Sequence, residues 1–230
     1  MSQPWQSLLD TALNLFLRPN CPLCDRAAQD VFCQYCQRQI QDCKILQPDR
    51  YWHGDLPLFV WGKYESAVKQ SIGKLKYDGH KSIGQLYGTW LAASWQQFTP
   101  PSLPTKLIVI PSPLHPDKLV TRGFNQAELI ARSFCQVTGA KLDLSLQRTR
   151  STTAQFGLSK LARQANVEGA FTLVNSRLKA GDPVLLIDDI YTTGATVRSA
   201  ATVMRSIHVN VCGVAAIATG RNDRNLILGV

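Results

Sequence analysis

The sequence predicts an α/β domain with a parallel sheet, preceded by a small module built on four cysteines. Three observations lead there. Lys106–Ile110, Val184–Ile187 and Val211–Ala218 are continuous apolar runs, as required of strands covered on both faces. Segments with apolar residues at helical spacing lie between these runs, and strands alternating with helices imply a parallel sheet. Cys21, Cys24, Cys33 and Cys36 fall in one short window near the amino terminus.

Taken in order, residues 1–18 read as a docking helix, because Trp5, Leu8, Leu9, Ala12, Leu13, Phe16 and Leu17 line one face. Gln6, Asp10 and Asn14 interrupt the apolar stretch and no Lys or Arg precedes it, so neither a secretory signal nor a membrane span is expected. Residues 19–50 form the cysteine module. Residues 51–104 are a hood-like segment and linker: a strand over Leu56–Gly62, a helix over Tyr64–Lys76, glycines 79, 84 and 88 as punctuation, a short helix over Leu86–Phe98, and a proline-rich stretch at 100–104. Residues 105–230 are the main domain. There Ala127, Ile130, Ala131, Phe134 and Val137 mark a helix stopped at Gly139, Leu142–Leu146 reads as a short strand, and Leu158–Asn166 and Ala195–Ile207 read as helices.

The chain has 230 residues, enough for one core and a small appendage. Hydrophobic residues make up 45% and charged residues 18%, which excludes a disordered chain. Lys and Arg number 25 against 16 Asp and Glu, a net charge of +9 with no long basic run. A distributed excess suits a polyanionic ligand, a phosphate ester or a nucleic acid, and equally a merely basic soluble surface. The expected location is the cytoplasm, where cysteines stay thiols.

The richest motif is Val184-Leu-Leu-Ile-Asp-Asp-Ile-Tyr-Thr-Thr-Gly-Ala-Thr196. A buried strand carries Asp188 and Asp189 to its carboxyl end, where open parallel sheets bind ligands. Carboxylates accept hydrogen bonds from ribose hydroxyls and interact with magnesium directly or through water. Thr192, Thr193, Gly194, Ala195 and Thr196 offer backbone N–H groups and three threonine hydroxyls at a helix start, which attracts phosphate. A plain helix cap would need only one such residue.

This stretch closely resembles the phosphoribosyl pyrophosphate loop of type I phosphoribosyltransferases. The resemblance implies a phosphoribosyltransferase-like domain, with Asp188 and Asp189 as ribose and Mg2+ residues and 192–196 as the 5-phosphate cradle. Further matches are Lys74-Leu-Lys-Tyr-Asp-Gly79, Ile110-Pro-Ser-Pro-Leu-His115, Arg122-Gly-Phe-Asn-Gln126, and Gln155, Leu158, Arg163 and Asn166 leading into Gly169-Ala-Phe171. With the paired cysteines they resemble the ComF family of competence-associated and gluconate-utilisation proteins. Ser112 departs from the Val expected between the two prolines.

The loop after Lys106–Ile110 is expected to face the Asp pair and to hold a diphosphate. The candidates are backbone N–H groups, Ser112, His115, Lys118 and above all Arg122, whose guanidinium forks onto phosphate oxygens. A surface ion pair with Glu128 is the rival role for Arg122, and ordinary loop positions are the rival for His115 and Lys118. Gln155, Arg163 and Asn166 either order a lid or bridge helices.

Cys21-Pro-Leu-Cys24 and Cys33-Gln-Tyr-Cys36 are two CxxC knuckles eight residues apart. Four thiolates close a structural Zn2+ site, whereas a disulfide needs an oxidising compartment and a redox pair needs one motif. Cys43, Cys135 and Cys212 have no paired spacing. Arg26, Phe32, Tyr35 and Arg38 leave DNA contact open beside a purely structural role.

Two functions follow. In the first, phosphoribosyl pyrophosphate or a related ribose 5-phosphate ligand binds with Mg2+ and the phosphoribosyl group passes to an acceptor, with Asp188, Asp189 and Arg122 as the catalytic set. In the second, the domain is a non-catalytic nucleotide or single-stranded DNA adaptor in natural transformation, beside a DNA-uptake helicase.

Overall fold

The computed structural model describes residues 19–100, 103–149 and 170–220. The expected helices over residues 1–17 and 158–166, with Gln155, Arg163 and Asn166, lie outside the described residues.

After the helix α1 (Gln34–Gln41) come β1 (Leu58–Lys63), α2 (Ser66–Tyr77) and α3 (Lys81–Phe98). Then follow β2 (Ile108–Pro111), α4 (Pro116–Arg122), α5 (Gln126–Thr138), β3 (Lys141–Leu142) and β4 (Leu146–Arg148). The last elements are β5 (Phe171–Leu173), β6 (Pro183–Tyr191), α6 (Ala195–Arg205) and β7 (Asn210–Thr219). Five strands form one parallel sheet in the order β1-β7-β6-β2-β3, and β4 and β5 pair antiparallel beside it.

The apolar runs are strands because both faces of the sheet are covered. Along β6, Leu185 and Ile187 pack with α2, α3 and α5, whereas Val184 and Leu186 pack with α6 and the β4–β5 hairpin. β1 alternates likewise, Phe59 and Trp61 to the first side and Leu58 and Val60 to the second. The first core is strongly aromatic: the Trp95 ring meets Trp52, Phe59 and Phe134 edge-on at centroid distances of 5.5, 4.9 and 5.9 Å. Residues 51–100 are integral to this body, since β1 pairs with β7 and α2 and α3 cover the sheet. The cysteine module is tied in as well, through Ile40 and Cys43 in the core and the Ile45 N–H to Trp61 carbonyl bond at 2.9 Å.

Gly84 and Gly88 do not punctuate the chain. They lie inside α3, which begins at Lys81 and not at Leu86. A Cβ on Gly88 would stand 2.7 Å from Ser133 Cβ and closer still to the Ile130 carbonyl oxygen. The two helices approach so closely that a side chain at 88 would push α3 off α5. Proximity between helices leaves no trace in local spacing, which is why the glycines read as breaks.

Two other expectations change. Leu142–Leu146 is not one strand: β3 ends at Leu142, and Leu146 opens β4 in the separate hairpin. β6 runs past the apolar stretch to Tyr191, so the Asp pair sits inside the strand. Among the described residues no helix is long and apolar enough to cross a membrane.

Candidate functional site at the tips of β2 and β6

From β2 the chain moves outward to β3 through α5, and from β6 it moves the other way to β7 through α6. The two helices cover opposite faces. A crevice therefore opens between the carboxyl ends of β2 and β6, the switch point at which open α/β sheets take ligands. β2 stops at Pro111 opposite Ile187, one residue before Asp188, while β7 continues beside β6 as far as Thr219 opposite Tyr191. Asp188 and Asp189 thus lie where β6 keeps its pairing with β7 but has passed the end of β2.

Their carboxylates are constrained differently. Asp188 keeps partial exposure, and its Oδ1 accepts from the Asp189 N–H at 2.9 Å. Asp189 is buried, its Oδ1 accepts from the Ile190 N–H at 3.0 Å, and its Oδ2 is paired with Lys76 Nζ at 2.5 Å. Lys76 comes from the last turn of α2. Burial opposes its charge, but the Asp189 carboxylate outweighs burial and holds the ammonium above its ordinary range. Asp188 has no such partner. Burial first, and the Asp189 charge second, push its carboxyl up to about 8 against the pull of Lys76.

Lys118 is pushed down by burial first, and by the charges of Arg148, Arg122 and Lys76 around it. Arg148, from β4, is lowered by burial and raised by Asp188. Lys76 beside Asp189 and Arg148 near Asp188 set cations against acids at this strand tip.

Beyond Tyr191 the chain turns through Thr192–Gly194 into α6. Gly194 has φ of 76°, and a Cβ there would run into the Tyr191 ring, 2.7 Å from its Cζ. Only glycine allows the strand to pass so tightly into the helix. Thr192 is exposed, Thr193, Ala195 and Thr196 are partly so, and the Ala195 N–H is held by Thr193 Oγ1 at 3.3 Å. The first four N–H groups of a helix lack acceptors within it, and here Thr193 Oγ1 takes that of Ala195.

The loop after β2 is more occupied than expected. Ser112 is buried, its N–H donates to the Ile187 carbonyl at 2.7 Å, and its carbonyl accepts from Asn125 Nδ2 at 3.0 Å. His115 caps α4, with Nδ1 accepting from the Asp117 N–H at 3.2 Å. These two residues shape the loop. Arg122 does not pair with Glu128, which is taken by Arg132 at 2.7 Å. It donates to Gln126 Oε1 at 2.6 Å and lies over the Tyr77 ring, 5.7 Å from the centroid. Lys76 and Arg148 are the residues that sequence reasoning missed. Lys76 lay within a quoted motif, yet nothing in spacing ties it to Asp189, 113 positions away.

The four cysteines converge. Cys21 and Cys24 sit in a reversing turn, with the Cys21 N–H bonded to the Arg26 carbonyl at 2.8 Å and the Asp25 N–H bonded to the Cys21 carbonyl at 2.9 Å. The second CxxC is not a free knuckle: Cys33 precedes α1 and Cys36 lies in its first turn. All four sulfurs lie within 4.8 Å of one another, Cys24 and Cys33 at 3.5 Å. A tetrahedral ion with bonds of about 2.3 Å needs sulfurs about 3.8 Å apart, so the cluster has the size of a thiolate metal site. Phe32 is core, not a stacking platform, while Tyr35 is exposed with Arg26 over its ring at 5.5 Å. Cys43, Cys135 and Cys212 are free thiols, the first buried and the others half-buried.

The fold is a parallel-sheet α/β domain carrying a four-cysteine cluster. In sequence the chain is similar to ComF-type competence proteins, as the motifs imply. It is 27% identical over 179 residues to competence protein ComFC of Streptococcus pneumoniae, covering 77% of this chain and 70% of that protein. Against ComFC of Bacillus subtilis it is 25% identical over 185 residues, covering 79% and 69%. No protein-family model matches the chain. Among solved structures, adenine phosphoribosyltransferase from Trypanosoma brucei is similar at a TM-score of 0.43 and 10% identity, covering 84% of this chain and 70% of the other. A score at that level adds nothing to the strand order.

The raised Asp188 carboxyl predicts a pH signature. A carboxyl raised by folding keeps a proton that the unfolded chain releases near pH 4, roughly its ordinary value. It therefore costs stability progressively as pH climbs toward about 8. Urea unfolding in metal-free buffer is expected to show Asp188→Asn gaining on the wild type between about pH 5 and pH 8. Parallel profiles would contradict the charge arrangement.

Proposed function

We propose that the crevice binds phosphoribosyl pyrophosphate or a related ribose 5-phosphate ligand with Mg2+, and that the protein transfers the phosphoribosyl group to an acceptor. The observation that supports this best is the continuity of Asp188, Asp189 and the 192–196 turn at the switch point beside β2. Thr192, Thr193, Gly194, Ala195 and Thr196 take the 5-phosphate. Asp188 and Asp189 take the ribose hydroxyls and the metal. Lys118 and Arg122 take the diphosphate, on a loop shaped by Ser112 and His115.

The carboxylate pair fits magnesium: it supplies hard oxygen donors, and it already holds one cation, the Lys76 ammonium. When bound, the metal ion supplies neutralisation of diphosphate charge. In the reaction the acceptor forms a bond to the anomeric carbon while the bond to the diphosphate oxygen breaks, and diphosphate departs with the electron pair. The residues' contribution is charge stabilisation of that separation in a fixed geometry. A cytoplasmic location accords with the free thiols.

The names of the relatives and the net charge of +9 favour a second reading, a non-catalytic adaptor for nucleotide or single-stranded DNA in DNA uptake, beside a helicase. Calorimetry with ribose 5-phosphate, phosphoribosyl pyrophosphate and a short single strand, with and without Mg2+, separates the two. The first reading expects both sugar phosphates to bind and Asp189→Asn to weaken them at least about tenfold, the loss of a charge-assisted hydrogen bond. DNA binding that falls steeply with salt, without sugar-phosphate binding, would replace it with the second.

The four-cysteine cluster is proposed to hold a structural Zn2+. One equivalent of zinc by elemental analysis is expected, with chelation or Cys36→Ser lowering the thermal midpoint. Metal-free protein of full stability would remove this assignment.

A further inference from the structure

The ion pair between α2 and β6 is the most constrained charge contact among the described residues. Lys76 Nζ stands 2.5 Å from Asp189 Oδ2, with side chains only 18% and 6% exposed. The other described ion pairs join side chains of which at least one is a third or more exposed. A lysine brought this far out of water loses hydration that only a carboxylate replaces. The partner it has chosen is one of the two acids at the switch point, so its ammonium occupies the edge of Asp189 that an incoming cation or hydroxyl would use.

We propose that Lys76 is a resident counter-ion of the acidic pair, one that excludes a divalent cation from Asp189 until an anionic ligand arrives to receive the ammonium. The inference rests on the phosphoribosyl reading and adds to it an order of binding. A free metal ion must separate the Lys76 ammonium from the carboxylate that compensates its burial. Separation with no anion present leaves a poorly hydrated ammonium without its counter-charge, whereas a diphosphate or phosphate supplies one. Metal and anion are thereby coupled through a side chain that neither has to touch first. The fold permits the exchange, because Lys76 lies in the last turn of α2 and its neighbour Tyr77 is exposed.

The test uses Mn2+ alone, counted by loss of the free-ion paramagnetic resonance signal, on full-length wild type and Lys76→Met. Methionine keeps the unbranched stem and removes the charge. Mn2+ is expected to bind the folded variant at least about tenfold more tightly than the wild type. Equal or weaker binding to the folded variant overturns the proposal. If Lys76→Met does not fold, Lys76→Gln, which still hydrogen-bonds to Asp189, takes its place with the same expectation. Calorimetry of ribose 5-phosphate on the wild type keeps the two failures apart. Binding there with unchanged Mn2+ affinity in the variant sinks this inference alone; no binding sinks the phosphoribosyl reading and this inference with it.

Discussion

Two adjacent carboxylates at the tip of a strand buried on both faces are the constraint around which the rest of the molecule is arranged. β6 is central, hydrogen-bonded to β7 along its length and to β2 only as far as Ile187. Val184, Leu185, Leu186 and Ile187 are fully buried, so the strand cannot move to bring its acids into water. The surroundings must supply compensation instead, and they do so unequally. Asp189 has a lysine and a backbone N–H, while Asp188 has a backbone N–H and a high affinity for its proton. A site left this way is incomplete as charge and complete as geometry, a condition common where a ligand supplies the missing ion.

The remaining architecture serves that tip. The close approach of α3 to α5 at Gly88 brings the helical layer down onto the sheet. α2 in the same layer carries Lys76 to the carboxyl end of β6. The β4–β5 hairpin on the opposite face brings Arg148. The tight passage at Gly194 sets the phosphate-type turn directly after the acids. Lys76, Arg148 and the two acids thus come from three separate stretches of chain to the tip of β6.

Much of this was legible in the sequence, for physical reasons. The 184–196 motif is local: strand, acids, turn and helix follow one another, so composition alone places them in order. The parallel sheet was legible because strands covered on both faces leave uninterrupted apolar runs. What local pattern could not carry was contact between distant segments. Lys76 reads as one more polar residue of α2 until β6 is seen beside it. Gly84 and Gly88 read as breaks until α5 is seen against them. An ion pair with Glu128 is the rival role for Arg122 in the sequence, yet Arg132 reaches that carboxylate from one helical turn away. The second CxxC looked like a turn because the helix that follows Cys33 has few apolar residues to announce it.

The central claim is that the turn after Asp189 receives a phosphoryl group. Backbone amide resonances followed during titration with ribose 5-phosphate address it directly. The account predicts the largest shifts at the amides of residues 193–197, saturating together with smaller changes at 188 and 189. Shifts confined to the cysteine module or to the outer face of α5, with 193–197 unmoved, would contradict it.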